Sequence, residues 1–492
     1  MRSPGRITAL GLASAMLALG LAACGQKAGV ETAAPGYVAA NGAPVGAVVD
    51  PTTGEFVDPT TGEVVAPVGG DGALAPGAAG GDLGAVAGGS GASGGSGGAA
   101  GGSGGSTGAA GSGGSGGSGG GAPAGGGDRT GVTDTTIKIG VHAPVTGAAA
   151  VPQRSFENAV GTYFEAINKK GGIFGRKIEV FFEDDQFRPD VARTKCKGMA
   201  EQTEVFLLIG GAGADQIDAC ARYAAEAGVP YISGGVHESR PGQSALSSLS
   251  TYFAVSLTYD QQAPMLARLY KSLHNGKKVV VITADNDSLN GYHDKATAAL
   301  KSAAGSNLAY SERIPKNTQS EALAIGTKIC NSGASAVVWN ASPSTLINVT
   351  KSMTCTPQFI GPGLTNGLNI VATATCPSLN GALFYSPFPG MDVMRKNGQF
   401  VSDYQAKNGS APDDIGAAIY GLEKIIVSML QASGKDLTRE GFMSTIAKQK
   451  TFNTGVFPTT NFTSRFGGTA MHLLKADCGS REYVTVRTNE RP

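Results

Sequence analysis

Residues 137–185, IKIGVHAPVTGAAAVPQRSFENAVGTYFEAINKKGGIFGRKIEVFFEDD, carry the pattern that decides the fold. Ile137, Ile139 and Val141 alternate with Lys138 and Gly140, and β-branched residues on one side of a period-two pattern predict a short strand with a buried face. The turn at Pro144 to Gly147 ends it. From Ser155 onward Phe156, Ala159, Tyr163, Ala166 and Ile167 recur three or four apart, which gives a helix one face to lay on a sheet. Gly171 and Gly172 stop that helix, because glycine enters the left-handed C-cap conformation without a Cβ clash. Ile178, Val180 and Phe182 then begin a second strand. A crossover helix between two strands implies parallel pairing with a right-handed connection.

A strand ending Pro144-Val145-Thr146-Gly147, a helix ending Asn168-Lys169-Lys170-Gly171-Gly172-Ile173-Phe174-Gly175 and a second strand ending Asp184-Asp185 resemble the opening of the type I periplasmic solute-binding proteins. The leucine/isoleucine/valine-binding proteins of ABC transporters are the nearest relatives suggested, and the likeness continues through nearly all of the chain after about Asp134. The resemblance implies an α/β fold of two doubly wound parallel-sheet lobes joined by a three-crossover hinge. Further strands are expected at Val205 to Ile209 and Val229 to Ile232, with a helix at about Asp215 to Ala227. After Tyr252 to Val255 the pattern restarts with strands at Val279 to Thr283, Ala336 to Trp339 and Phe359 to Ile360. Helices fall at about Gln262 to His274, Gly291 to Ala303 and Ser344 to Met353. Helices at Met391 to Lys407 and Asp413 to Gln431 are placed by the resemblance back on the first lobe.

Composition sets the outer limits. Basic and acidic residues number 39 and 38, so no single-sign field points to nucleic acid or an anionic membrane surface. Arg2 and Arg6 precede an apolar run from Ile7 to Leu21, too short for an ordinary membrane span and suited to a signal peptide. Leu21-Ala22-Ala23-Cys24 resembles a bacterial lipobox, with Cys24 the residue that receives lipid. Residues 25–130 read as a tether. Val49-Asp50-Pro51-Thr52-Thr53-Gly54-Glu55 repeats as Val57 to Glu63, an expected extended segment, and Gly/Ser/Ala repeats from about Gly80 to Gly127 form a flexible coil. The rest exceeds the roughly 250–300 residues at which one core stops growing, so two lobes are expected. By these boundaries 131–254 opens lobe one, 255–386 opens lobe two, 387–458 returns to lobe one, and 459–492 completes lobe two.

Cys196, Cys220, Cys330, Cys355, Cys376 and Cys478 remain, an even number in an exported domain, and disulfides are expected. Six cysteines allow 15 connectivities. The fold implied by the resemblance favours Cys196–Cys220, Cys330–Cys355 and Cys376–Cys478. No C-x-x-C occurs and the histidines are scattered, so no metal site is expected. No cofactor is implied.

Ligands of open α/β sheets lie beyond the carboxyl ends of strands, where helix N-termini present unpaired N–H groups. Carried onto this sequence, the ligand-binding residues are Gln153, Gly213, Ala214, Asp215, Val236 and His237 in lobe one, with Asp285, Leu289, Ser342 and Gly363 in lobe two. His237 reads equally as an anion donor or as a solvated loop residue; Trp339 reads as core or as a wall of the cleft. The nominal G-x-S-x-G at Gly91 to Gly95 lacks the strand and helix of a nucleophile elbow. Asp184-Asp185 reads as a strand-end turn, and no enzyme is expected.

The sequence departs from the leucine-type pattern where the ligand's ammonium is held. An acidic residue follows the Gly-Pro of a lobe-two strand in those relatives, whereas Gly361-Pro362 is followed here by Gly363. The usual hydroxyl falls near Ala214 and the aromatic wall near Pro152. A buried ammonium without a counter-charge is costly, so the expected ligand is an amide, organic acid or aromatic acid. Asp215 or Asp285 standing in for the lost carboxylate keeps an amino acid open. The expected role is a monomeric lipoprotein on the outer face of the bacterial cytoplasmic membrane, delivering ligand to ABC permease subunits and binding no nucleic acid. The alternative is a module presenting ligand to a separate receptor.

Overall fold

The computed structural model describes the backbone of 48–49 and 56–57 and the chain at 126–147, 154–235 and 245–492. Within the N-terminal unit, β1 (Val48–Val49) and β2 (Phe56–Val57) pair antiparallel, Val49 opposite Phe56. The two copies of the repeat thus meet in a short strand pair, a pairing that the expectation of an extended segment did not include. Cys24 lies outside the described residues.

The first lobe is built on β3 (Thr136–Ala143), β4 (Lys177–Asp184), β5 (Leu207–Gly210), β6 (Tyr231–Ser233) and β7 (Tyr252–Ala254), all parallel in the order β4-β3-β5-β6-β7. The strand order reverses at β3, so the crossovers leave in opposite directions and open a crevice at its carboxyl end. The second lobe begins with β8 (Val279–Ala284), β9 (Leu308–Ile314), β10 (Ala336–Asn340), β11 (Gln358–Pro362) and β12 (Leu383–Ser386). A small antiparallel ribbon, β13 (Thr451–Phe452) with β14 (Thr460–Asn461), precedes β15 (Met471–Asp477) and β16 (Glu482–Glu490). The second sheet runs β16-β15-β12-β11-β10-β8-β9, and only β15 runs against the others, pairing antiparallel with both β12 and β16. Its order reverses at β8.

Three crossings join the lobes. The first follows β7, and the second lies between β12 and Phe388, which packs in the first core. The third comes between Phe466 and Met471, later than the boundary at 458/459 expected from sequence. Phe462 is held in lobe one by Phe253, and Phe466 by Tyr252, each pair with ring centroids 5.9 Å apart.

The sequence reading missed β9, whose side chains alternate between half-buried and exposed because it is an edge strand. Helix Tyr259–His274 starts earlier than apolar spacing indicates, since Thr258 and Gln261 close a capping box. The expected helix from Met391 to Lys407 is broken into Met391–Met394 and Gly398–Asn408, with Asn397 capping the second piece through Phe400 N–H. Helix Asp414–Ala432 is long and apolar enough to cross a membrane, but it packs in the first core and buries Asp414 and Glu423. Trp339 is fully buried in the second core, edge-on to Phe359.

Disulfides join Cys196 to Cys220, Cys330 to Cys355 and Cys376 to Cys478. The first staples helices Pro189–Glu201 and Ala214–Glu226 together; the third ties the end of helix Asn369–Thr375 to the β15–β16 turn.

Candidate ligand-binding cleft

The carboxyl ends of both sheets meet in a narrow cleft of about 30 Å³. From lobe one, β5 runs into Ala212 and Gly213, and helix Ala214–Glu226 begins there with Gly213 as its N-cap. A Cβ at Gly213 would meet the end of the Gln216 side chain and the Phe187 ring, so a larger residue here would shift both. From lobe two, Asn286 stands at the N-cap position of helix Asp287–Ala304 without a side-chain capping bond, and Leu289 from its first turn lines the cleft. Asn340 ends β10; Ser342 caps helix Pro343–Ser352, its Oγ accepting from Thr345 N–H at 3.2 Å.

Lys316, which follows β9, reaches across the lobes. Its Nζ donates to Asp215 Oδ2 at 2.7 Å and sits 4.3 Å from the centroid of the Phe187 ring. Both members of the ion pair are largely buried, with side chains 20% and 15% exposed. Burial pushes the nearby Tyr259 hydroxyl far above its usual pKa, and the Asp215 charge adds to this. Two amide atoms of the cleft have no hydrogen-bond partner, Nδ2 of the buried Asn340 and Oδ1 of Asn286.

A buried polar network sets Phe187 in place. Asp185 Oδ2 lies 2.9 Å from Nδ1 of His142, and the Tyr231 hydroxyl lies 2.7 Å from Nε2. The Asp185 carboxylate accepts from His142 Nδ1–H, and the second ring nitrogen is hydrogen-bonded to the Tyr231 hydroxyl. The other Asp185 oxygen accepts from Phe187 N–H at 2.9 Å, and Asp184 Oδ1 accepts from Gln186 N–H at 2.9 Å. These bonds hold Gln186 and Phe187 in the left-handed region, φ 53° and 57°, which costs free energy for side chains of this kind. The acidic pair is therefore a strand-end turn with a task, to aim Phe187 into the cleft. The network also explains Gly210, where a Cβ would meet both His142 and Tyr231.

Of the residues proposed from sequence, Gly213, Ala214, Asp215, Leu289 and Ser342 line the cleft together. Asp285 is exposed and its N–H donates to the Ile314 carbonyl, while Asn286 beside it lines the cleft. Gly363 packs on β12, its N–H donating to the Tyr385 carbonyl at 2.6 Å, and Thr365 faces the cleft instead. Gln153, Val236 and His237 lie outside the described residues. Sequence reasoning missed Lys316, because the edge strand before it was not recognised, and missed His142, which alternates in β3 like any core position.

Residues 136–476 match the sequence profile of the family described as periplasmic binding protein. The chain belongs to that family. An amino acid binding protein of Pseudomonas aeruginosa is 26% identical over 201 residues, 41% of this chain and 52% of that one. The chain spans about half the length of the curated relatives it matches. The fold is similar to that of LivJ, the branched-chain amino acid transporter substrate-binding protein of Streptococcus pneumoniae in complex with isoleucine. The TM-score is 0.60 and the identity 20%, over 72% of this chain and all of that one. It is also similar to a fatty acid ABC transporter substrate-binding protein from Thermomonospora curvata, with TM-score 0.62 and 20% identity over 74% and 95% of the two chains. Members of this family bind small molecules outside the cytoplasm.

Proposed function

We propose that this chain is the substrate-binding lipoprotein of an ABC importer of the branched-chain amino acid type, held at the membrane by lipid on Cys24 and capturing one small molecule by hinge closure. It acts as a monomer, catalyses no reaction, and hands its ligand to permease subunits. The observation that carries the reading is the convergence of loops from both lobes on one cleft, bridged by Lys316 and Asp215. Each lobe alone supplies only half of an enclosure, and three crossing segments permit the rotation that opens it. The His142–Asp185–Tyr231 group is fully buried, which suits a structural brace better than a catalytic set.

The ligand is an amide, organic acid or amino acid. Relatives named for isoleucine and for fatty acids support a cleft whose chemistry varies within one frame. Small-angle scattering of the mature chain, titrated with ligands found by thermal shift, tests the mechanism. Compaction at saturation is expected; a bound ligand with an unchanged radius of gyration counts against hinge closure.

A further inference from the structure

Beside the polar cleft lies a second space of a different character. It is a narrow space of about 60 Å³ between the carboxyl ends of the first sheet and helix Asp414–Ala432, continuous with solvent. Phe156, Ala418, Leu422 and Phe457 form its lobe-one walls, and Leu364 and Leu368 close it from lobe two. Among the described residues that line it none is an Asp, Glu, Lys or Arg, and the one ionisable ring among them, His142, is already engaged through both nitrogens. Chamber and cleft abut: Ala212 lines both, and the consecutive residues Leu364 and Thr365 face one each.

Resting on the substrate-binding reading above, we propose that the ligand is an apolar monocarboxylate, its hydrocarbon body in this chamber and its carboxylate in the cleft against Lys316. Apolar surface moved from water into such a chamber gains about 25 cal/mol per Å², and a polar body finds no partner there. The cleft decides the sign of the head group. Asp215, the carboxylate lining it, is already paired with Lys316. A ligand ammonium would have to share that carboxylate with the like charge of Lys316, whose Nζ is 2.7 Å from Oδ2. A ligand carboxylate need expel nothing. The Lys316 ammonium has three donors, of which one goes to Asp215. The unpartnered Nδ2 of Asn340, 5% exposed, offers another donor, and the positive end of helix Ala214–Glu226 opens on the same space. Lys316 is thus the residue that reads charge, and Leu364 and Leu368 are the part of lobe two that senses a filled chamber.

Calorimetry on the mature chain with octanoate, phenylacetate, octanamide and leucine tests this. At least one acid is expected to bind, and octanoate at least tenfold more tightly than octanamide. Ala418→Phe, which fills the chamber from a helical position, is expected to weaken acid binding tenfold or more. Lys316→Met, which keeps the stem over Phe187, is expected to abolish the preference for acid over amide while its melting curve stays cooperative. Leucine binding more tightly than either acid, or equal affinity for octanoate and octanamide in the native chain, overturns the proposal. So does an acid affinity that Ala418→Phe leaves unchanged. Leucine binding with compaction would leave the substrate-binding reading standing and remove only the apolar acid; no binding by any of the four would count against both.

Discussion

Replacing Glu423 by glutamine probes a charge placed in the middle of the first core. Glu423 is 2% exposed on helix Asp414–Ala432 and accepts from Gly161 N–H at 2.5 Å and Tyr163 N–H at 2.8 Å, at the start of helix Thr162–Lys169. Burial raises its pKa to about 8, although those N–H groups, that of Phe164 and the charge of Lys407 pull the other way. A folded-state pKa raised above the ordinary 4.5 means that the group's contribution to stability is complete below pH 4.5 and is lost as pH rises through 8. At ~1.4 kcal/mol per pH unit, the loss between pH 6 and pH 9 is roughly 2–3 kcal/mol. Glutamine does not titrate, but its amide nitrogen faces an N–H donor where even a protonated carboxyl keeps an acceptor lone pair, a cost of about 1–3 kcal/mol. Glu423→Gln is therefore expected to be less stable than the native chain at pH 6, with the gap closing or reversing by pH 9. Urea unfolding followed by circular dichroism, with disulfides intact, measures the gap at each pH. A gap that stays constant from pH 6 to 9 would show that Glu423 is ionised throughout, and the reasoning would fail.

Asp414 sits where the lobes meet, its Oδ2 accepting from Asn369 N–H at 2.6 Å, and burial raises its pKa to about 7. Its Oδ1 also accepts from Ile415 N–H at 3.1 Å, so in Asp414→Asn the amide nitrogen faces a donor at a cost of about 1–3 kcal/mol. The variant should be less stable than the native chain near pH 4 and gain about 3–4 kcal/mol on it by pH 8, where the native carboxyl is ionised; a gap unchanged between pH 4 and pH 8 would contradict this. The disulfides close loops of different length, with sequence separations of 24, 25 and 102. On loop-closure entropy, removing Cys376–Cys478 by paired serine substitutions should cost about 4–5 kcal/mol, and either of the others about 3.5 kcal/mol. Denaturant midpoints of the three double variants check that order, and a smaller loss at Cys376–Cys478 than at Cys330–Cys355 would reverse it.

Sequence alone determined the βα alternation, and with it the parallel sheets, because the periods of two and 3.6 are local properties of the chain. It also located the loops that end β5, β8, β10 and β11, since ligand sites in such sheets follow strand ends. Five of the ten proposed residues line one cleft in the structure. Tertiary structure decided what fills that cleft. Lys316 and Asp215 are far apart in sequence, and neither carries a local signal for the other; only the approach of two lobes pairs them. Phe187 enters the cleft because a buried histidine from a different strand holds the turn before it. The apolar chamber is likewise assembled from a first-lobe sheet, a helix that returns to that lobe after the second crossing, and two leucines of lobe two. Each of these residues reads in isolation as ordinary core, because apolar periodicity reports that a face is buried and not what it is buried against.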